Sequence, residues 1–118
     1  MEKTSLGMDE NIEGLLCYVL TWLTGIVFLV LEKDNKFVRF HAMQSIATFL
    51  PLTIIAIVIS MMGSAFFLGF GGLWMIFSLI STLIWILAVI LWIILMIKAY
   101  QGEMYKLPIV GDFAEKQI

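Results

Sequence analysis

From residue 40 to residue 97 the chain carries no Asp, Glu, Lys or Arg, a run of 58 positions. A second charge-free run covers residues 14–31, 18 positions. A bilayer core about 30 Å thick takes roughly 20 helical residues to cross. The shorter run therefore reads as one span, and the longer as two. Composition agrees: 62% of the 118 residues are apolar and 14% charged, against about 45–50% and about 25% in soluble domains. A soluble chain this short buries only about two-thirds of its surface, so it could not hide that much apolar area. The proportions exclude an ordinary soluble globule, a disordered tail and a nucleic-acid binder. A single cysteine, Cys17, cannot pair within the chain, which also argues against a disulfide scaffold.

The break in the long run falls at residues 63–72, where four glycines in ten positions weaken a helix by about 1 kcal/mol each relative to Ala. The prediction is an all-α membrane protein with three transmembrane helices, 14–31, 42–62 and 73–99. An interfacial helix start at 36–45 and a cytoplasmic carboxyl tail complete it. Residues 63–72 form a loop or, alternatively, a re-entrant piece. Helix 73–99 is the most apolar: 16 of the 25 residues from Leu73 to Ile97 are Leu, Ile, Phe or Val. Residues 1–13 are too acidic for a transit peptide, with Glu2, Asp9, Glu10 and Glu13 against Lys3. The apolar run after them ends in Glu32-Lys33 without a small-residue cleavage site. The expected division is an acidic extracytoplasmic tail, 1–13, and a single transmembrane helical domain, 14–118.

Three spans put the termini on opposite sides. The 32–39 loop and the carboxyl tail then share Lys33, Lys36, Arg39, Lys98, Lys106 and Lys116, and the other side has only Lys3. The positive-inside bias predicts a multi-pass protein of the cell membrane, amino terminus outside and carboxyl terminus in the cytoplasm.

Helix 14–31 carries Cys17, Thr21, Thr24 and Gly25 on one small, mildly polar face suited to helix packing. Cys17 reads as a buried, inert thiol. In the segment 36–45, helical spacing puts Phe37, Phe40, His41, Gln44 and Thr48 on one stripe. One reading is an interfacial helix start, with aromatics and cations in the headgroup zone. The other is a polar cluster of His41, Gln44 and Thr48 facing the bundle interior. Pro51 removes a backbone donor and predicts a kink. Ala56, Ser60 and Ser64 form a small-residue seam. Trp74, Ser78, Ser81, Trp85, Ala88, Trp92 and Leu95 alternate steps of four and three, a packing stripe. Gly102 suits a helix C-cap, and 107–112 reads as a turn or interfacial loop.

No Asp, Glu, Lys or Arg lies inside a predicted span, although coupled carriers usually need one. The sequence has no Walker loop and no metal-ligand cluster. It also lacks a workable Ser-His-Asp or Cys-His set, since Cys17 and His41 fall near opposite ends of different helices. The expectation is no enzyme, no cofactor and no metal.

Two strings, EKDNKFVRFHAMQS from Glu32 and MIKAYQGEMYKLPIVGDFAEK from Met96, resemble a family of small prokaryotic membrane proteins of unknown function. That family is similar to the Tic twenty-kilodalton component of the chloroplast inner-envelope import translocon. The resemblance runs from about Gly14 to Lys116. It picks out Phe37, Arg39, His41, Gln44 and Ser45, then Lys98, Ala99, Gly102, Leu107, Pro108, Gly111 and Ala114. The chloroplast relative has four spans and a longer amino region, and this chain reads as three. On the positive-inside reading both blocks are cytoplasmic. They are expected to pack together as a collar, with Arg39 on tail carbonyls or Asp112.

The resemblance implies an oligomeric translocation or pore-type subunit. The alternative is a non-transporting accessory or structural protein that binds membrane lipids or a partner membrane protein. A holin-like lysis protein ranks last, because residues 98–118 balance three positive against three negative charges. The expected partners are lipids and either further copies or a partner membrane protein, not nucleic acid.

Overall fold

A computed structural model describes residues 3–67 and 71–117, without the side chains of 66, 67 and 71. Five helices account for most of it: α1 (Glu10–Val19), α2 (Trp22–Leu31), α3 (Lys36–Phe67), α4 (Gly71–Tyr100) and α5 (Val110–Lys116). Among the described residues the only β pairing is a single bridge between Lys3 and Asp9. Helices α3 and α4 are long and apolar enough to cross a membrane. They extend the expected 42–62 and 73–99 at both ends, and α3 begins at Lys36, in the expected interfacial segment. Residues 68–70 of the expected break lie outside the described residues.

The expected helix over 14–31 is not formed. A turn at Leu20–Thr21 divides the run into α1 and α2, ten residues each. Each is about 15 Å long, half of a bilayer core. The two pieces fold back on each other along the first half of α3. Going down α1, Gly14 lies against Phe37, Cys17 against Val38, and Thr21 against Ser45. Returning along α2, Gly25 lies on Ala42 and the Leu29 carbonyl reaches Arg39. Ser5 then meets Glu32, and Asn11 donates to the Tyr100 carbonyl. The amino segment, the 32–35 loop and the C-terminal end of α4 thus share one end of the molecule, where three antiparallel helices would have separated them.

Hydropathy could not distinguish a hairpin from a span, because both are apolar throughout. What permits the reversal is local chemistry at the turn. Backbone groups freed in an apolar setting need partners. Ser45 Oγ donates to the Thr21 carbonyl at 2.7 Å and Trp92 Nε1 to the Tyr18 carbonyl at 2.6 Å. Thr24 Oγ1 donates to the Cys17 carbonyl and accepts from the Leu20 N–H, both at 3.1 Å. Thr21 takes φ +56°, a strained value for a β-branched residue. Gly25 allows the close return: a Cβ there would sit 2.9 Å from the Ala42 carbonyl oxygen.

Packing divides α3 in two. From Phe37 to Phe49 nearly every turn is buried, enclosed by α1, α2, α4 and the tail; beyond, the buried positions among the described side chains are Ala56 and Gly63. In the far half α3 pairs with α4, through the Ser60–Ser81 hydroxyl pair at 3.1 Å and Gly63 against Phe77. On α4, Ser81, Ala88 and Leu95 of the predicted stripe are buried at seven-residue steps and Ser78 and Trp92 are half-buried, whereas Trp74 and Trp85 are exposed, contrary to the expectation. The outer faces of both helices are apolar and exposed, Ile54, Val58, Leu79, Ile86 and Ile93 among them. Helix α3 continues through Pro51, which is exposed beside Leu87, Leu107 and Pro108.

Candidate functional site

Where α1, α3 and the segment after α4 converge, a hydrogen-bonded polar cluster is sealed from solvent. Tyr18, His41, Gln44 and Ser45 are each 0% exposed. For a neutral imidazole the bonding assigns each proton. His41 Nε2 lies 2.9 Å from the Glu103 carbonyl, which can only accept, so Nε2 carries the hydrogen. Nδ1 of the neutral ring is then the acceptor, and the Tyr18 hydroxyl donates to it at 2.7 Å. Gln44 Nε2 donates to the Tyr18 oxygen at 3.1 Å and to the Tyr105 carbonyl at 2.9 Å, while Gln44 Oε1 accepts from the Leu107 N–H at 3.0 Å. Phe37, Phe40 and Tyr18 box the imidazole edge-on, with ring centroids 4.5, 5.2 and 5.4 Å away. A network this complete rigidifies its surroundings.

The structure thus brings the two motif blocks together, with the 103–107 strap of the tail docked on the start of α3. Gly102 ends α4 at φ +80°, with Glu103 N–H on the Lys98 carbonyl and Gly102 N–H on the Ala99 carbonyl, both at 3.0 Å. That 6→1 and 5→2 pair is a Schellman C-cap, which aims the strap back toward α3. Lys98 pairs with Glu103 at 3.2 Å and lies over the Tyr105 ring. Leu107 is buried and Pro108 exposed. Gly111 is buried so tightly on Lys106 that any side chain would collide with it. Ala114 is fully buried where α5 returns toward α3.

Three expectations for this region are corrected. Arg39 does not reach the tail or Asp112; its Nη1 donates to the Leu29 and Glu32 carbonyls at 3.1 and 2.9 Å, capping α2. A cation on the last carbonyls of a helix satisfies both its orphan acceptors and its dipole. Thr48 is buried, but its Oγ1 has no hydrogen-bond partner among the described residues, so it is not part of the network. Cys17 is not remote from His41: it adjoins Tyr18, the ring's partner, with its thiol on the Val38 carbonyl at 3.7 Å.

Sequence reasoning missed Tyr18, concealed in an apolar run, although a phenol there must find a partner once buried. It also treated Glu13 and Glu32 as mere boundaries of that run. Both are 0% exposed. Glu32 Oε1 accepts from Ser5 N–H at 3.1 Å, and Oε2 accepts from Ser5 Oγ at 2.6 Å and from Asp34 and Asn35 N–H at 3.2 Å. Thr4 Oγ1 donates to Glu13 Oε1 at 2.6 Å.

The sequence profile of the magnetosome magnetite crystal formation protein family matches residues 8–114. The chain belongs to that family. It is also similar to two UPF0132 membrane proteins of Methanocaldococcus jannaschii. One is 50% identical over 112 residues, 95% of this chain and 72% of the relative. The other is 49% identical over 116 residues, 98% of this chain and 94% of the relative. A UPF0132 membrane protein of Archaeoglobus fulgidus is 41% identical over 111 residues, 94% and 97% of the two chains. No solved structure matches. The match takes in both motif blocks, and the relatives are named membrane proteins, so the family is one of small membrane proteins, as the two strings implied.

Proposed function

We propose that the chain is a non-transporting structural protein of the cell membrane, a two-span anchor whose α1–α2 hairpin wedges into one leaflet. The observation that carries this reading is Ser5 hydrogen-bonded to Glu32, which joins the two ends of the first apolar run. The outward face of α2, with Leu23, Ile26, Val27 and Val30 exposed, suits acyl chains. Four helices then occupy one half of the membrane and two the other. Extra volume in a single leaflet expands it relative to its neighbour and favours bending toward the opposite side.

The charge distribution supports an orientation. All seven Lys and Arg lie in residues 3–39 and 98–116, and none lies near the α3–α4 connection. On the positive-inside rule the hairpin mouth and both termini are cytoplasmic. This replaces the amino-outside orientation, which required three spans.

The import-translocon resemblance favours a pore-type subunit instead. Two spans and a hairpin would need several copies to enclose a path, with polar groups turned toward it. In α3 and α4, Ser60 pairs with Ser81, and Thr53 and Thr82 bond the carbonyls of Phe49 and Ser78 in their own helices. These hydroxyls are engaged within one copy, which favours the structural reading.

Reconstitution into liposomes of defined diameter tests both readings. The expected result is smaller or tubulated vesicles as the protein-to-lipid ratio rises, with a trapped dye retained. Unchanged vesicle diameter would overturn the wedge, and dye release from intact vesicles would turn the assignment to the pore.

A further inference from the structure

The hairpin mouth holds a pair of buried carboxyl groups, Glu13 and Glu32, of which the structural reading uses only the Ser5 bond to Glu32. Glu13 Oε2 is buried with no hydrogen-bond partner among the described residues. Thr4 bonds the Glu13 carboxyl and the adjacent Ser5 bonds that of Glu32, which brings the two acids together at the mouth. Two buried carboxylates cannot share a site unless a positive charge or a proton lies between them.

The surroundings decide which. Glu32 already accepts four hydrogen bonds, three of them on Oε2, which leaves Oε1 room for one proton donor but not both oxygens for chelating a metal ion. Among the described residues, the nearby cations are engaged elsewhere or exposed: Lys3 pairs with Asp9, Arg39 caps α2, and Lys33 and Lys36 are exposed. Of the other titratable groups on the packed elements, Glu10 accepts from Asn35, Asp34 is exposed, the Cys17 thiol is on Val38, and His41 is bound to Tyr18 and Glu103. A proton on Glu13 satisfies both groups.

We infer that Glu13 and Glu32 form a proton-bridged carboxyl pair that latches the amino segment, residues 3–9, across the mouth of the α1–α2 hairpin, and that loss of the proton opens it. Glu13 Oε2–H donates to the Glu32 carboxylate, while Thr4 and Ser5 bring the segment onto the two acids. Burial foremost, then the facing Glu32, raises the Glu13 carboxyl above its ordinary 4.5. Burial pushes Glu32 the other way from its hydrogen bonds, but those from Ser5, Asn35 and Asp34 prevail and hold it below 4.5. As pH rises through the elevated Glu13 value, the proton leaves to water. Two facing anions remain; their repulsion parts Glu13 from Glu32, and the segment, bonded to both, is drawn off one of its two anchors.

The test uses the full chain in nanodiscs, with Cys17→Ala and spin labels at Leu6→Cys and Lys33→Cys, both exposed positions. Interlabel distance and the infrared carboxylic acid band are followed together through a pH titration. The expected result is a short distance while the band is present and a longer one as it disappears. Glu13→Gln, whose amide still donates to Glu32, should lack the band and stay closed across the range. Three results overturn the inference: no protonated carboxyl at any pH, a distance that does not follow the band, or an unchanged transition in folded Glu13→Gln.

Discussion

The Tyr18 hydroxyl donates to His41 Nδ1 at 2.7 Å, joining the short descending helix to the first long one. Tyr18→Phe keeps the ring in place and removes the bridge. His41 Nδ1 then has no donor and one Gln44 N–H no acceptor. A buried group left unsatisfied costs about 1–3 kcal/mol. Tyr18→Phe should therefore lower the unfolding midpoint in detergent, by more than Tyr100→Phe, whose ring is exposed. Equal effects would show that the network adds nothing to stability.

Gln44 holds the carboxyl-terminal strap by two backbone bonds, to Tyr105 and Leu107. Gln44→Ala should free the strap while α3 and α4 stay paired. Trypsin cleavage after Lys106 should accelerate roughly tenfold or more, as loss of bonds worth about 1 kcal/mol each implies. The same substitution should speed amide exchange at Leu107.

Gly25 has no room for a side chain. A Cβ there would lie 2.9 Å from the Ala42 carbonyl oxygen, and backbone cannot rotate aside. Gly25→Ala should push α2 away from α3 and destabilise by about 1–3 kcal/mol, whereas Gly72→Ala, in open space, should be neutral or better. Thermal denaturation of the two variants measures the contrast.

Topology can be read with single cysteines on a Cys17→Ala background. Membrane-impermeant maleimide should reach Leu6→Cys, Lys33→Cys and Gln117→Cys from the cytoplasmic side, and Gly72→Cys from the opposite side. Labelling of positions 6 and 33 from opposite sides would restore the three-span arrangement.

Glu32 gives the fold an acid limb. Its carboxyl is held below the ordinary 4.5, so its stabilisation is present above 4.5 and is lost as pH falls through the lowered value. Glu32→Gln should remove about 1.5–3 kcal/mol at neutral pH, the range for hydrogen bonds to a charged group. Its stability should also depend less on pH in the acid range, as measured by chemical denaturation.

Much of this architecture was legible in advance. The 58-residue charge-free run with glycines at its middle gave the two long helices, and seven-residue spacing gave the buried stripe of Ser81, Ala88 and Leu95. The strings around His41 and Leu107 were singled out, and they meet. Arg39 was misread because a guanidinium can reach any nearby carbonyl, and its own element does not reveal which. Tyr18 was overlooked because hydropathy counts a phenol as apolar and ignores its hydroxyl.

The sequence by itself determined that the protein is helical and apolar, and that its charges are confined to residues 2–39 and 98–116. These follow from composition and period, which no tertiary contact can alter. Only the tertiary structure decided that residues 14–31 turn back at Thr21. A span and a hairpin have the same hydropathy; they differ in whether Ser45, Trp92 and Thr24 are placed to satisfy the carbonyls that the turn exposes. Those partners lie up to 74 residues away along the chain, and only folding brings them to the turn.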